Sequence, residues 1–144
     1  MKTITKIKIT KNLTAEIAFV DRSGIENEAY TFSSTAIIHQ DFYNAMQALT
    51  EDFISMTEQD CEHNLITITG ITTGGSDENK GATIVGQRLL SGNRVLNLVA
   101  PFTKYEDMTK STRINIANAL NEAELFIEGK RKPDPQQEIE FPNE

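Results

Sequence analysis

The strongest constraint on this chain is a change of hydrophobic period that occurs twice, from the two-residue repeat of strands to the 3.6-residue repeat of helices. Residues 3–10 (TITKIKIT) put Ile7 and Ile9 on one side and Lys6 and Lys8 on the other, as a half-buried strand does. Lys11-Asn12 reads as a tight turn, with Asn as the residue tolerant of positive φ. A second strand over 13–20 carries Ile17 and Phe19 on one face. Asp21-Arg22-Ser23-Gly24 is a further turn, and residues 29–36, with Tyr30 and Phe32, read as a third strand. The period then changes. Phe42, Met46, Leu49, Phe53 and Met56 fall on one face of a helix over 40–57, with His39 or Asp41 placed to cap its start.

The same order recurs. Residues 65–72 (LITITGIT) are β-branched enough for a fourth strand. A polar loop spans 73–81, a fifth strand 82–90, a turn Ser91-Gly92-Asn93, and a sixth strand (RVLNLVA) runs up to Pro101, which cannot donate to a ladder. A second helix covers 110–128 with Ile116, Leu120, Ala123 and Ile127 as its apolar stripe. Gly129 stands where a left-handed C-terminal residue belongs, followed by Lys130, Arg131 and Lys132 at the negative end of the helix dipole. The expected fold class is therefore α+β: two layers, a mainly antiparallel sheet of about six strands, and two helices on one face, in the order βββα-βββα. Residues 1–129 form a single domain and 130–144 a flexible polar, acidic tail.

Charge and cysteine usage narrow the setting. The single cysteine, Cys61, excludes an intrachain disulfide and fits a reducing compartment. The basic N-terminus has no apolar stretch behind it, and no apolar run reaches the length of a membrane span. The chain is expected in the cytoplasm, that of the host cell if it is phage-encoded, and not at a membrane. Its net charge of −7 is uneven: +4 over residues 1–11, −11 over 12–79, +4 over 80–113 and −4 over 114–144. So acidic a chain is a poor general binder of duplex DNA.

Catalytic chemistry finds little support. His39 and His63 are the only histidines, and Cys61-Glu62-His63 does not supply the three or four ligands of a zinc site. The acidic pairs Glu51-Asp52 and Glu106-Asp107 are sequence neighbours, which on a helix do not face one another. No cofactor motif is present. The candidate ligand-binding residues are Gly74, Gly75, Ser76, Lys80, Arg88 and Arg94. Paired glycines let backbone amides approach an anion, and Lys and Arg add charge. The loop lacks the spacing of a P-loop, it carries Asp77 and Glu78, and the same residues also fit a mobile hairpin.

Three blocks carry a resemblance. They are Asp41-Phe42-Tyr43-Asn44-Ala45-Met46-Gln47-Ala48-Leu49; Ile66-Thr67-Ile68-Thr69-Gly70-Ile71 with Gly81-Ala82-Thr83-Ile84; and Glu122-Ala123 through Phe126-Ile127-Glu128-Gly129-Lys130-Arg131. On these the chain resembles small early-gene proteins of unknown function from tailed bacteriophages and prophages. The resemblance implies a phage context and no particular activity. The resulting expectation is a non-catalytic phage-type binding protein acting on a host or phage component. One form of it is a homo-oligomeric counter-defence protein that sequesters a nucleotide signal or blocks a host protein. The alternative is an accessory single-stranded-DNA-binding or recombination protein, with Lys2, Lys6, Lys8, Arg88 and Arg94 on one sheet face and Tyr30 or Phe32 as stacking platforms.

Overall fold

In the computed structural model, which describes residues 2–21 and 28–133, the alternating segments pair as the period-two pattern requires. The strands are β1 (Lys2–Ile9), β2 (Ala15–Asp21), β3 (Glu28–Ser33), β4 (Ile66–Gly74), β5 (Gly81–Leu89), β6 (Val95–Val99) and a short β7 (Thr103–Lys104). The helices are α1 (Gln40–Gln47), α2 (Thr50–Thr57) and α3 (Lys110–Ile127). The sheet order is β3-β2-β1-β4-β5-β6, antiparallel throughout, with β7 also on β5. Each half is a three-strand meander, and the first strands of the two meanders lie side by side. The turn expected at 21–24 falls largely outside the described residues.

One face of this sheet is oily and the other polar. Ile4, Ile7 and Ile9 of β1, Ile17 and Phe19 of β2, Ile66, Ile68 and Ile71 of β4, and Ile84 of β5 are buried. They meet Phe42, Met46, Leu49 and Phe53 from the first helical segment and Ile116, Ala119, Ala123 and Phe126 from α3. All the helices thus cover the same face, and the expected two-layer α+β fold is borne out. Lys6, Lys8, Thr67 and Thr72 point the other way and are exposed.

Some details differ from the expectation. The helix expected over 40–57 is broken at Ala48-Leu49. There the Leu49 N–H bonds to the Met46 carbonyl, one residue closer than in an α-helix, and the Thr50 hydroxyl takes the Gln47 carbonyl. The apolar stripe survives the break because both short helices keep their buried residues on the sheet. The α3 stripe includes Thr112, Ala119 and Phe126 with Ile116 and Ala123, whereas Leu120 and Ile127 sit at its margin. In the β1–β2 turn the positive φ falls on Leu13 (62°), not on Asn12. His39 caps α1 as expected, its Nδ1 accepting the Asp41 N–H at 3.0 Å.

The first residues after α3 are packed rather than free. Arg131 bridges to Ile38, and the Lys132 N–H donates to the Ile37 carbonyl. The Arg131 guanidinium lies 4.9 Å from the Phe126 ring centre and 5.5 Å from that of Phe32. Lys130 Nζ lies 2.8 Å from the Asp41 carboxylate and 3.1 Å from that of Glu122. The packed chain therefore extends through Lys132, past the boundary expected at 129, and residues 134–144 lie outside the described residues.

Two predictions follow from the packing. A Cβ at Gly86 would sit 2.9 Å from the Phe53 ring, so Gly86→Ala overpacks the core under α2. It should lower stability by about 1–3 kcal/mol in urea unfolding, and Phe53→Leu in the same chain should recover part of the loss. The hydrogen bond from Lys130 holds the Asp41 carboxyl below the usual carboxylate range, and the Asp41 bond raises Lys130. A depressed carboxyl stabilises the fold above its unfolded-state value and loses that contribution as pH falls through its folded-state value. Asp41→Asn should therefore flatten the acid limb of a stability–pH curve by lowering the neutral plateau, with little change below the folded-state value of the carboxyl.

Candidate functional site

The two meanders are joined by a short seam. β1 pairs with β2 over seven residue pairs but with β4 over only three: Lys6 with Thr72, Ile7 with Ile71, and Lys8 with Gly70. Past Lys8 the strands part, and a bulge between Ile68 and Gly70 turns β4 aside. Parted strands in the middle of a sheet leave buried backbone groups in need of partners. Gln47, at the end of α1, supplies them. Its side-chain carbonyl accepts the Ile68 N–H at 2.9 Å, and its amide donates to the Ile68 carbonyl at 2.9 Å. One side chain thus continues the ladder that β1 abandons.

The parting opens a cleft of about 770 Å³. Its chemistry comes from Lys6, Lys8 and Lys11 on the β1 side and from Thr67, Gln87 and Asn97 on the β4–β6 side, with Tyr43 and Gln47 deeper. Among the described residues no carboxylate lines it, although the chain carries a net −7. Glu16 stands cross-strand from Lys8 on β2, outside the lining. Apolar contacts from Ile7, Ile9 and Val85 complete a pocket with a basic rim, neutral hydrogen-bonding groups and an oily floor. A second, smaller groove of about 330 Å³ between α1 and α3 has the opposite character, with asparagines beside Asp41 and Glu122.

The six candidate residues named from sequence do not come together. Gly74 ends β4, Gly75 and Ser76 begin the turn, and Lys80 closes it, all at one end of the β4–β5 hairpin. Arg88 pairs with Ile66 at the other end, seven residues along β5 from Gly81, or about 23 Å at the usual strand rise. Within the turn the Asn79 N–H donates to the Ser76 carbonyl and the Lys80 N–H to that of Asp77. Arg88 faces the helices and donates to Gln59 at 2.7 Å, while Arg94 folds onto Ser91 in its own turn.

The basic and aromatic surface of the alternative reading is also divided. Lys6 and Lys8 lie on the polar face, but Arg88 faces the helices. Phe32 packs edge-on against Phe126, and Tyr30 stacks on Phe19. The aromatics therefore offer no stacking platform beside the lysines.

Sequence reasoning passed over Lys11, Gln47, Thr67, Gln87 and Asn97 as site residues. For Thr67, Gln87 and Asn97 the signal was weak, polar residues on the outward half of each strand pattern, whereas Lys11 lies in the β1–β2 turn and Gln47 at the end of α1. The parting of β1 and β4 that gathers them depends on a bulge, which has no sequence signature here. Among the described residues, no group of three or more His, Cys, Asp or Glu side chains could hold a metal ion. Nor is any helix there long and apolar enough to cross a membrane. No protein-family model matches the chain, and neither a curated protein nor a solved structure does.

The seam makes its own prediction. Gln47→Ala leaves the Ile68 N–H and carbonyl without these partners, which should cost about 1–3 kcal/mol. Amide hydrogen exchange should then quicken at Ile68 more than at Ile17 within the β1–β2 ladder.

Proposed function

We propose that this protein is a non-catalytic binder of a small anionic ligand of the nucleotide class, held in the cleft between β1 and β4. The observation that carries the reading is the cleft itself: three lysines and, among the described residues, no carboxylate around about 770 Å³, on a chain of net charge −7. Isolated positive charge in an acidic protein concentrates anions locally while the surrounding surface repels nucleic acid. The volume falls in the range of small-molecule pockets, and the mix of oily floor and few polar groups is their usual composition. Lys6, Lys8 and Lys11 would meet phosphate, and Thr67, Gln87 and Asn97 would offer hydroxyl and amide partners to a sugar or base.

The phage setting belongs to the same proposal. In that setting a small protein that binds a nucleotide signal and does not turn it over acts by sequestration, as a counter-defence protein would. Loading the cleft rather than reacting in it needs neither a nucleophile beside a base nor a resident metal.

Isothermal titration calorimetry against a panel of cyclic nucleotides and ADP-ribose-type nucleotides tests the reading. At least one should bind with an affinity that falls as salt rises, and the paired change Lys6→Glu and Lys8→Glu should weaken it by about a hundredfold, the loss of two charge-assisted hydrogen bonds. Silence across the panel, or binding indifferent to those lysines, overturns it.

A further inference from the structure

The sheet ends on β6, and among the described residues no strand covers its far side. Natural sheets usually protect such an edge with charge, proline or a bulge. Here the run from Val95 to Thr103 contains no charged residue, and Pro101 stands beyond the strand. Val95 is 53% exposed and Val99 66% exposed, with Leu96 and Leu89 also open to solvent.

The hydrogen bonds to β5 fix which way each β6 residue turns its backbone. The Leu90 N–H donates to the Arg94 carbonyl, and the Ala100 N–H to the Ile84 carbonyl. Between them the ladder sets Arg88 opposite Leu96 and Gly86 opposite Leu98. In an antiparallel ladder the direction alternates, so 94, 96, 98 and 100 face β5 while Val95, Asn97 and Val99 face the open edge.

We propose that β6 pairs antiparallel with β6 of a second copy of this chain across a twofold axis at Asn97. That register sets Val95 opposite Val99 of the other copy, and Asn97 opposite Asn97. Every outward N–H and carbonyl of the three residues then finds a partner. A shift of two residues in either direction leaves an outward valine unmatched, and a shift of one sets each outward N–H and carbonyl opposite a residue whose own are committed to β5. Val95 and Val99 of both copies meet on the polar face of the sheet, extended by Leu89, and Leu96 meets Leu98 on the helix side. No like charges are opposed anywhere along the paired strands. The other edge, β3, begins with Glu28, and pairing β6 to β3 would propagate an open filament instead of closing. The twofold axis stands perpendicular to the sheet, so both clefts open on the same face.

Sedimentation equilibrium of the full chain without ligand tests this separately from the cleft reading. The expected species at micromolar concentration has twice the 16.1 kDa chain mass. Asn97→Lys and Asn97→Asp each place like charges opposite one another at the axis and should give monomers, and mixing the two variants should restore a dimer. Val99→Thr keeps the branched shape without added charge and should weaken association by about tenfold. A monomeric wild type, a filament, or a dimer that survives both Asn97→Lys and Val99→Thr overturns the proposal.

Discussion

Gln47 and the three residue pairs beside it hold the two halves of this sheet together. Each meander is well laddered internally, and the join between them is short. A two-layer fold needs one continuous apolar face, and the chain achieves it by letting a helix side chain finish a strand pairing. Everything notable about the polar face follows from that choice. β1 is free to diverge, β4 bulges, and the gap between them becomes a cleft whose rim is set by outward-facing lysines and threonines. Burying an amide against a backbone edge is favourable only when both of its ends are satisfied, and both are.

The aromatic cluster at the far side plays the complementary part. Phe126 meets Phe32 edge-on and Phe42 at a tilt, and Arg131 lies over two of the three rings. This ties α3 to β3, the strand farthest from the second meander in sequence pairing. The Thr112 hydroxyl donates to Asp52 at 2.6 Å and connects the start of α3 to α2. α3 therefore packs on β1 and α1 and is tied to α2, and α1 and α2, which lie on β4, back the short seam from the helix side.

Much of this was legible in the residues. Alternation in TITKIKIT and LITITGIT located β1 and β4, and the Phe42–Phe53 stripe located the buried helical face, because burial on one side imposes period on sequence. What stayed hidden depends on geometry that period does not encode. The break at Ala48-Leu49 leaves the stripe intact, so the pattern cannot see it. A bulge adds a residue without altering composition, so the parting of β1 from β4 and the cleft it creates were invisible. The glycine loop drew attention because glycine permits close anion approach, yet it lies at the opposite end of the β4–β5 hairpin from Arg88, which was to share its ligand. Arg131 read as part of a tail because basic residues after a helix suit its dipole, whereas its role lies with Phe32, a residue about a hundred positions earlier.

The short seam also bears on how the chain is made. The β1–β2 and β4–β5 pairings are local, whereas β1 must wait for β4, more than sixty residues later, before its second edge is covered. Local ladders form early and distant ones late. During synthesis the first meander therefore stands with one edge of β1 uncovered, and the lysines alternating along that strand, Lys6 and Lys8, are the kind of residue that keeps a waiting edge from pairing with the wrong neighbour. The residues that line the finished cleft thus also act as gatekeepers while it is still being built.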